Sequence, residues 1–117
     1  MAGEIKIEVV TPSEMLLSDT AEMVIIPGSE GIFGVLPKHA ATIANLKLGK
    51  LDVYNNGVIK RRFLIDGGVA DVLPERVIIL AERAVDLDAV SVQNLDQKII
   101  NATDTEVAFL NAVKEAI

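Results

Sequence analysis

The sequence predicts a mainly β chain with a C-terminal α part, a β domain followed by a hairpin of two short helices. Three observations predict it. From Ile5 to Leu80 the apolar residues come in short runs broken by Gly, Pro, Asn or Asp, and many short strands at turn-signal spacing suggest a sandwich or a barrel. Half of the 117 residues are hydrophobic but only 3% are aromatic, so the core is built from Val, Ile, Leu and Ala, a β-branched composition that suits pleated strands. After Val85 the apolar spacing changes from two to three or four, the helical period.

The elements follow in order. Residues 5–10, 15–18, 23–26, 31–35, 41–46, 50–54, 58–65, 69–73 and 76–80 read as strands. The stretch from Pro27 to Ala40 reads as two tight turns flanking one short strand. There Gly28, Gly31 and Gly34 permit positive φ, and Pro27 and Pro37 fix φ while withholding a donor. Asn55-Asn56-Gly57 is the sharpest hairpin signal, because primed turns need left-handed residues. Leu73-Pro74-Glu75-Arg76 is a second hairpin, and Asp66-Gly67-Gly68 is expected to close a turn, with the glycines giving a bulge or a close backbone approach.

Beyond the joint at Ala84-Val85-Asp86-Leu87, Asp88 can cap a helix with the stripe Val92, Leu95 and Ile99, ended by Asn101-Ala102. Thr103-Asp104-Thr105-Glu106 has capping-box spacing, and Val107, Leu110, Val113 and Ile117 share a face after it. Helices this short are marginal alone, so the hairpin must pack on the β domain, on itself or on a partner. The expected division is a β domain over 1–85 and a helical hairpin over 86–117.

A net charge of −6 argues against nucleic acid and anionic lipid as partners and favours protein. The absence of cysteine removes disulfides and thiolate metal sites. The first residues lack the basic and apolar regions of a secretory signal, and no apolar run approaches the roughly 20 residues of a membrane span. If the chain works at a membrane, something else holds it there.

Side chains that could carry chemistry are few. His39, the single histidine, has three readings: a catalytic group, a turn residue bonded to the backbone, or a contact residue on an exposed loop. Asp86 and Asp88 suit a helix mouth, where the dipole favours negative charge. Asp66 is an active-site acid or a turn residue. Lys60-Arg61-Arg62 alternates faces on a strand and reads as solvated edge protection or a partner contact. Gly28 to Gly34 lacks the Lys-Ser/Thr of a phosphate loop and leads into a strand. No metal site or cofactor is expected.

The Gly-Ser-Glu-Gly and Pro-Lys-His-Ala pieces at Gly28–Gly31 and Pro37–Ala40, together with Phe63-Leu64-Ile65-Asp66-Gly67-Gly68-Val69-Ala70-Asp71-Val72, resemble the epsilon subunit of the rotary F-type ATP synthase, called delta in mitochondria. The resemblance runs from Ile5 to about Leu87. It implies an N-terminal β-sandwich of two sheets followed by the helical hairpin, in a non-catalytic rotor subunit without a cofactor. It implies that the sandwich binds the gamma subunit, rests on the c-ring, and carries ring rotation to the stalk. The c-ring contacts would be Ser29, Glu30, Gly31, Ile32, Lys38 and His39, and the gamma contacts Thr11, Ala41, Thr42 and Ile43. The implied place is the cytoplasmic face of a bacterial plasma membrane, reached only through the complex.

Three departures bear on regulation. Ala41 stands where many members have proline. Ser91 stands where ATP-binding members have arginine, which leaves Leu87-Asp88 of that motif and removes the phosphate or carboxylate partner, so ATP binding is not expected. From Val85 onward Asp86, Asp88, Asp96, Asp104, Glu106 and Glu115 face only Lys98 and Lys114, so contact with an acidic segment of the catalytic beta subunit is disfavoured. Weak or absent inhibition of ATP hydrolysis is therefore expected, with the hairpin as the part that could reach alpha and beta. The alternatives are an ATP-sensing inhibitory regulator of the same complex, or a small β-domain hydrolase that would depend on His39.

Overall fold

The computed structural model describes residues 3–88. They form eight strands: β1 (Ile5–Val10), β2 (Met15–Ala21), β3 (Met23–Gly28), β4 (Gly31–Val35), β5 (Thr42–Leu46), β6 (Gly49–Asn55), β7 (Val58–Leu73) and β8 (Arg76–Asp86). The pair β1–β8 is parallel and its neighbours are antiparallel. The expected helical hairpin lies outside the described residues.

Strand β7 organises the sandwich. Its first half, to Ile65, pairs with β6, and its second half, from Gly68, pairs with β5. Strand β8 follows β7 from Phe63 to Leu73, across the junction of the two halves. One layer therefore runs β2-β1-β8-β7-β5 and the other β4-β3-β6-β7-β8, with β7 and β8 passing from layer to layer. At the other side β3 and β5 meet at the single pair Gly28 and Leu46.

The two layers enclose one aliphatic core, with Ile5, Ile7, Val24, Ile26, Val35, Leu51, Phe63, Ile65, Val77 and Ile79 shut off from solvent. Alternation along β7 puts Phe63 and Ile65 inside, then Ala70 and Val72. The inward phase thus changes from odd to even across Asp66-Gly67-Gly68. Strand β8 changes phase at the same level, from Val77, Ile79 and Ala81 to Ala84. A strand alternates with a strict period of two, so some residue must absorb the slip. Gly67 and Gly68 do so with φ of 79° and 123°.

This corrects the expectation of two strands at 58–65 and 69–73. Asp66-Gly67-Gly68 closes no turn; it kinks one continuous 16-residue strand. The close approach was read correctly: a Cβ on Gly68 would lie 2.1 Å from the Leu80 carbonyl oxygen. The edge reading of Lys60-Arg61-Arg62 fits the ladder, since β6 runs along one side while β8 pairs with β7 only from Phe63 onward, with the Leu87 amide bonded to Arg62 O; what the reading lacked is that all three side chains are held in ion pairs. The strands expected to stop at 18, 26 and 80 continue to Ala21, Gly28 and Asp86, because partner strands supply hydrogen bonds that local sequence does not reveal. The hairpin signals hold. Asn56 and Gly57 take φ of 54° and 75° between β6 and β7, and Leu73 pairs with Arg76 across the second turn.

Candidate functional site

Strands β3 and β4 form a hairpin whose two-residue loop is Ser29-Glu30, closed on the pair Gly28 and Gly31. The loop is tied to β5 at its base: the Ser29 amide donates to the Asn45 carbonyl at 2.8 Å, and Lys47 to Pro27 at 3.0 Å. Beyond this tie β4 and β5 separate and leave a cleft of about 280 Å³. Gly28, Ser29, Glu30, Gly31 and Phe33 line one flank, and Thr42 to Asn45 line the other. Glycine is required at 28, because a Cβ there would meet the Gly31 carbonyl oxygen at 2.8 Å and the Phe33 ring at 2.9 Å. On the outer strand Ile32 is 69% exposed.

The structure therefore brings Ser29, Glu30 and Gly31 together with Thr42 and Ile43 around one cleft. Lys38 and His39 are elsewhere, at the far end of β4, roughly 17 Å along a five-residue strand. There Lys38, with φ of 67°, donates its amide to Pro74 O at 2.7 Å. The His39 Nδ1 lies 2.7 Å from the Ala40 carbonyl, to which it donates in the Nδ1-protonated tautomer. This is the backbone bond expected of a turn residue, made on an exposed loop. Ala41 is exposed between His39 and β5.

Thr11 lies in the turn after β1, where its amide donates to Glu14 O at 2.9 Å and its hydroxyl accepts the Glu14 amide at 3.3 Å. It borders an apolar depression of about 390 Å³ with Val10, Pro12, Leu80 and Ala81. The register sets Val10, Leu80, Val69 and Asn45 side by side across four strands. The next outward row is Glu8, Ile78, Asp71 and Ile43. Inward positions belong to Val9, Val77, Ile79 and Ala70, so alternation turns these rows to the outer face. Thr11 and Ile43 thus lie at opposite margins of one sheet face, on which Val10, Leu80, Val69, Ile78 and Ile43 are apolar and Glu8, Asp71 and Asn45 interrupt them. On it Leu80 is 50% and Ile43 74% exposed. Along one side of this face Glu8 sits between Lys6, at 3.7 Å, and Arg76, at 3.9 Å.

Val10, Val69, Ile78 and Leu80 were missed in the sequence reading. A signal was present: Val77-Ile78-Ile79-Leu80 is apolar at four successive positions, and on a strand that makes both faces apolar. The basic run is fully engaged. Lys60 reaches Asp19 at 3.5 Å, Arg62 reaches Asp52 at 3.0 Å, and Arg61 pairs with Asp86. The Asp19 carboxyl is held below the usual range chiefly by the Thr20 amide, which donates to it at 2.8 Å; desolvation opposes this, and Lys60 and Arg61 add to the lowering. Asp88 donates its amide to Asp86 Oδ1 at 3.0 Å, and its carboxylate lies 4.0 Å from Arg61 Nε.

Residues 4–87 match the family described as ATP synthase, Delta/Epsilon chain, beta-sandwich domain. The chain is 34% identical to the ATP synthase epsilon chain of Rhodospirillum rubrum, covering 100% of this chain and 96% of that one. It is 44% identical to the ATP synthase epsilon chain of Rhodospirillum centenum over 76% of this chain and 62% of that one. Among solved structures it is similar to a chain of the Euglena gracilis mitochondrial ATP synthase OSCP/F1/c-ring assembly, with a TM-score of 0.69 and 28% identity over 84% of this chain and 62% of that one. A chain of the Tetrahymena thermophila mitochondrial ATP synthase central stalk/c-ring has a TM-score of 0.64 and 16% identity, covering 98% of this chain and 97% of that one; at that identity it shows a shared fold.

Proposed function

The chain belongs to the delta/epsilon family of ATP synthase chains, and from that premise we propose that it is a non-catalytic central-stalk subunit that carries c-ring rotation to gamma. The observation that carries the proposal is the apolar outer face between Thr11 and Ile43. Exposed apolar side chains gathered on one face of an acidic protein make a surface for another protein, and Leu80 and Ile43 project from it. In this reading the face packs on gamma, with Thr11, Ala41, Thr42 and Ile43 at its margins. Ser29, Glu30, Gly31 and Ile32 meet the c-ring at the hairpin end of the cleft, and Lys38 and His39 are further c-ring contacts from the opposite end of β4. The division into a sandwich over 1–85 and a hairpin over 86–117 belongs to the same reading, as does a position on the cytoplasmic side of a bacterial membrane, held there by the complex alone. The acidic character of residues 86–117 supports weak or absent inhibition of hydrolysis. Engagement of Asp88 by Asp86 and Arg61 supports no nucleotide role for it.

The test is co-purification of a tagged chain from native membranes, as wild type and as the double variant Ile43→Asp, Leu80→Asp. The wild type is expected to bring down gamma, alpha, beta and the c-ring. The variant is expected to lose gamma by at least about tenfold, because each new carboxylate would be buried without a partner. Both substituted positions are exposed, so the isolated sandwich should keep its stability within about 0.5 kcal/mol. Full recovery of gamma with the variant would remove this face from the interface.

A further inference from the structure

The basic run on β7 and the paired aspartates at the end of β8 have separate explanations in the sequence, and the structure joins them. Arg61 donates to Asp86 through its guanidinium, lies 4.0 Å from the Asp88 carboxylate through Nε, and rests 5.3 Å over the Phe63 ring. Phe63 is fully buried and pairs with Asp86 across the strands, so Arg61 covers the end of the core where β8 finishes. Asp86 Oδ1 accepts the Asp88 amide at 3.0 Å, and the Leu87 amide donates to the Arg62 carbonyl at 3.0 Å. Leu87 itself is 8% exposed. Local contacts thus converge on residues 86–88, beyond which 29 further residues follow in the sequence.

We infer that Arg61 is a positioning residue, a salt-sensitive clasp that fixes the backbone of residues 86–88 on the sandwich and so sets the direction in which the chain leaves it. Arginine suits the role for two reasons. Its planar fork can meet two carboxylates at once, and its face stacks on an aromatic ring. Lysine offers one point charge and no stacking plane. The charged groups around the clasp are Asp19 and Lys60 beside it and Asp86 and Asp88 against it. The pairing is partly exposed, with the Arg61 side chain at 32% and Asp88 at 55%. Salt therefore reaches it and weakens it while the dry core is untouched. The clasp opens as a local unit below the free energy of global unfolding.

Amide hydrogen exchange on the full-length chain tests this, read at Leu87 and Asp88 and, for reference, at Ile7 and Ile79. In wild type, raising salt to roughly 0.5 M is expected to speed exchange at Leu87 and Asp88 several-fold with no change at the reference amides. Arg61→Gln is expected to speed the same two amides by about tenfold at low salt and to abolish their salt response. Arg61→Lys should fall between, and Asp88→Asn, at an exposed position, should reproduce part of the effect in a chain whose folding is not in question. Exchange at Leu87 and Asp88 that rises only in step with Ile7 and Ile79, or that ignores salt in wild type, would overturn the clasp.

Discussion

Replacing Gly68 by alanine tests whether one residue holds the two layers of the sandwich together. Gly68 is on β7 opposite Ala81 of β8 and opposite Leu46 of β5, with φ of 123°. An added Cβ would sit 2.1 Å from the Leu80 carbonyl oxygen and 2.9 Å from the Ala81 Cα, both backbone atoms that cannot swing away. The φ alone costs an L-residue about 1–3 kcal/mol. Relieving the overlap means moving β8 off β7 by roughly 1 Å, which loses one or two ladder hydrogen bonds at about 0.5–1.5 kcal/mol each. The sum, about 2–6 kcal/mol, is a large part of the 5–15 kcal/mol that holds a typical domain. At about 4–8 °C per kcal/mol for a domain of this size, Tm should fall by at least about 8 °C. Urea unfolding followed by circular dichroism measures the loss, with two controls that divide it. Gly57→Ala has φ of 75° and open space around the new carbon, so it should cost only about 1–2 kcal/mol. Gly67→Ala has φ of 79° but meets only the flexible Glu82 carboxylate at 2.9 Å, so it should fall between. If Gly68→Ala is no worse than Gly57→Ala, the close approach of β7 and β8 is not what makes glycine necessary, and the reasoning fails.

Two further outcomes follow from the charges. Asp19 has its carboxyl lowered mainly by the Thr20 amide, so its contribution is present above its unfolded pKa and is lost as pH falls through the folded one. Asp19→Asn should therefore flatten the acid side of the stability profile slightly, the effect being small because the group is exposed; an unchanged profile together with an ordinary carboxyl titration by NMR would contradict it. Deleting residues 103–117 should leave ATP hydrolysis by the complex unchanged, since two acidic surfaces repel; a several-fold rise in the hydrolysis rate would mean that this segment inhibits after all.

The sequence by itself determined the strands whose alternation and turns are local. Residues 5–10 and 31–35 were read to the residue, and Asn56-Gly57 and Pro74-Glu75 were recognised as hairpin loops, because positive φ and fixed φ are properties of single residues. It also carried the family, through spacings of glycine, proline and histidine that survive in one chain. Tertiary structure alone decided what depends on a partner strand. Asp66-Gly67-Gly68 looks like a turn until β8 is seen running past it, and only then do the glycines become the kink that carries β7 from one layer to the other. Lys60-Arg61-Arg62 looks like free, solvated charge until Asp19, Asp86 and Asp52 arrive from 10 to 41 residues away in sequence. Likewise Ser29 and Thr42 share a cleft while His39 stands at the far end of β4, an arrangement set by the register of β5 on β7. The apolar face between Thr11 and Ile43 was half legible: Val77 to Leu80 announce two apolar faces. Which of the two remains open is decided by where the second layer packs.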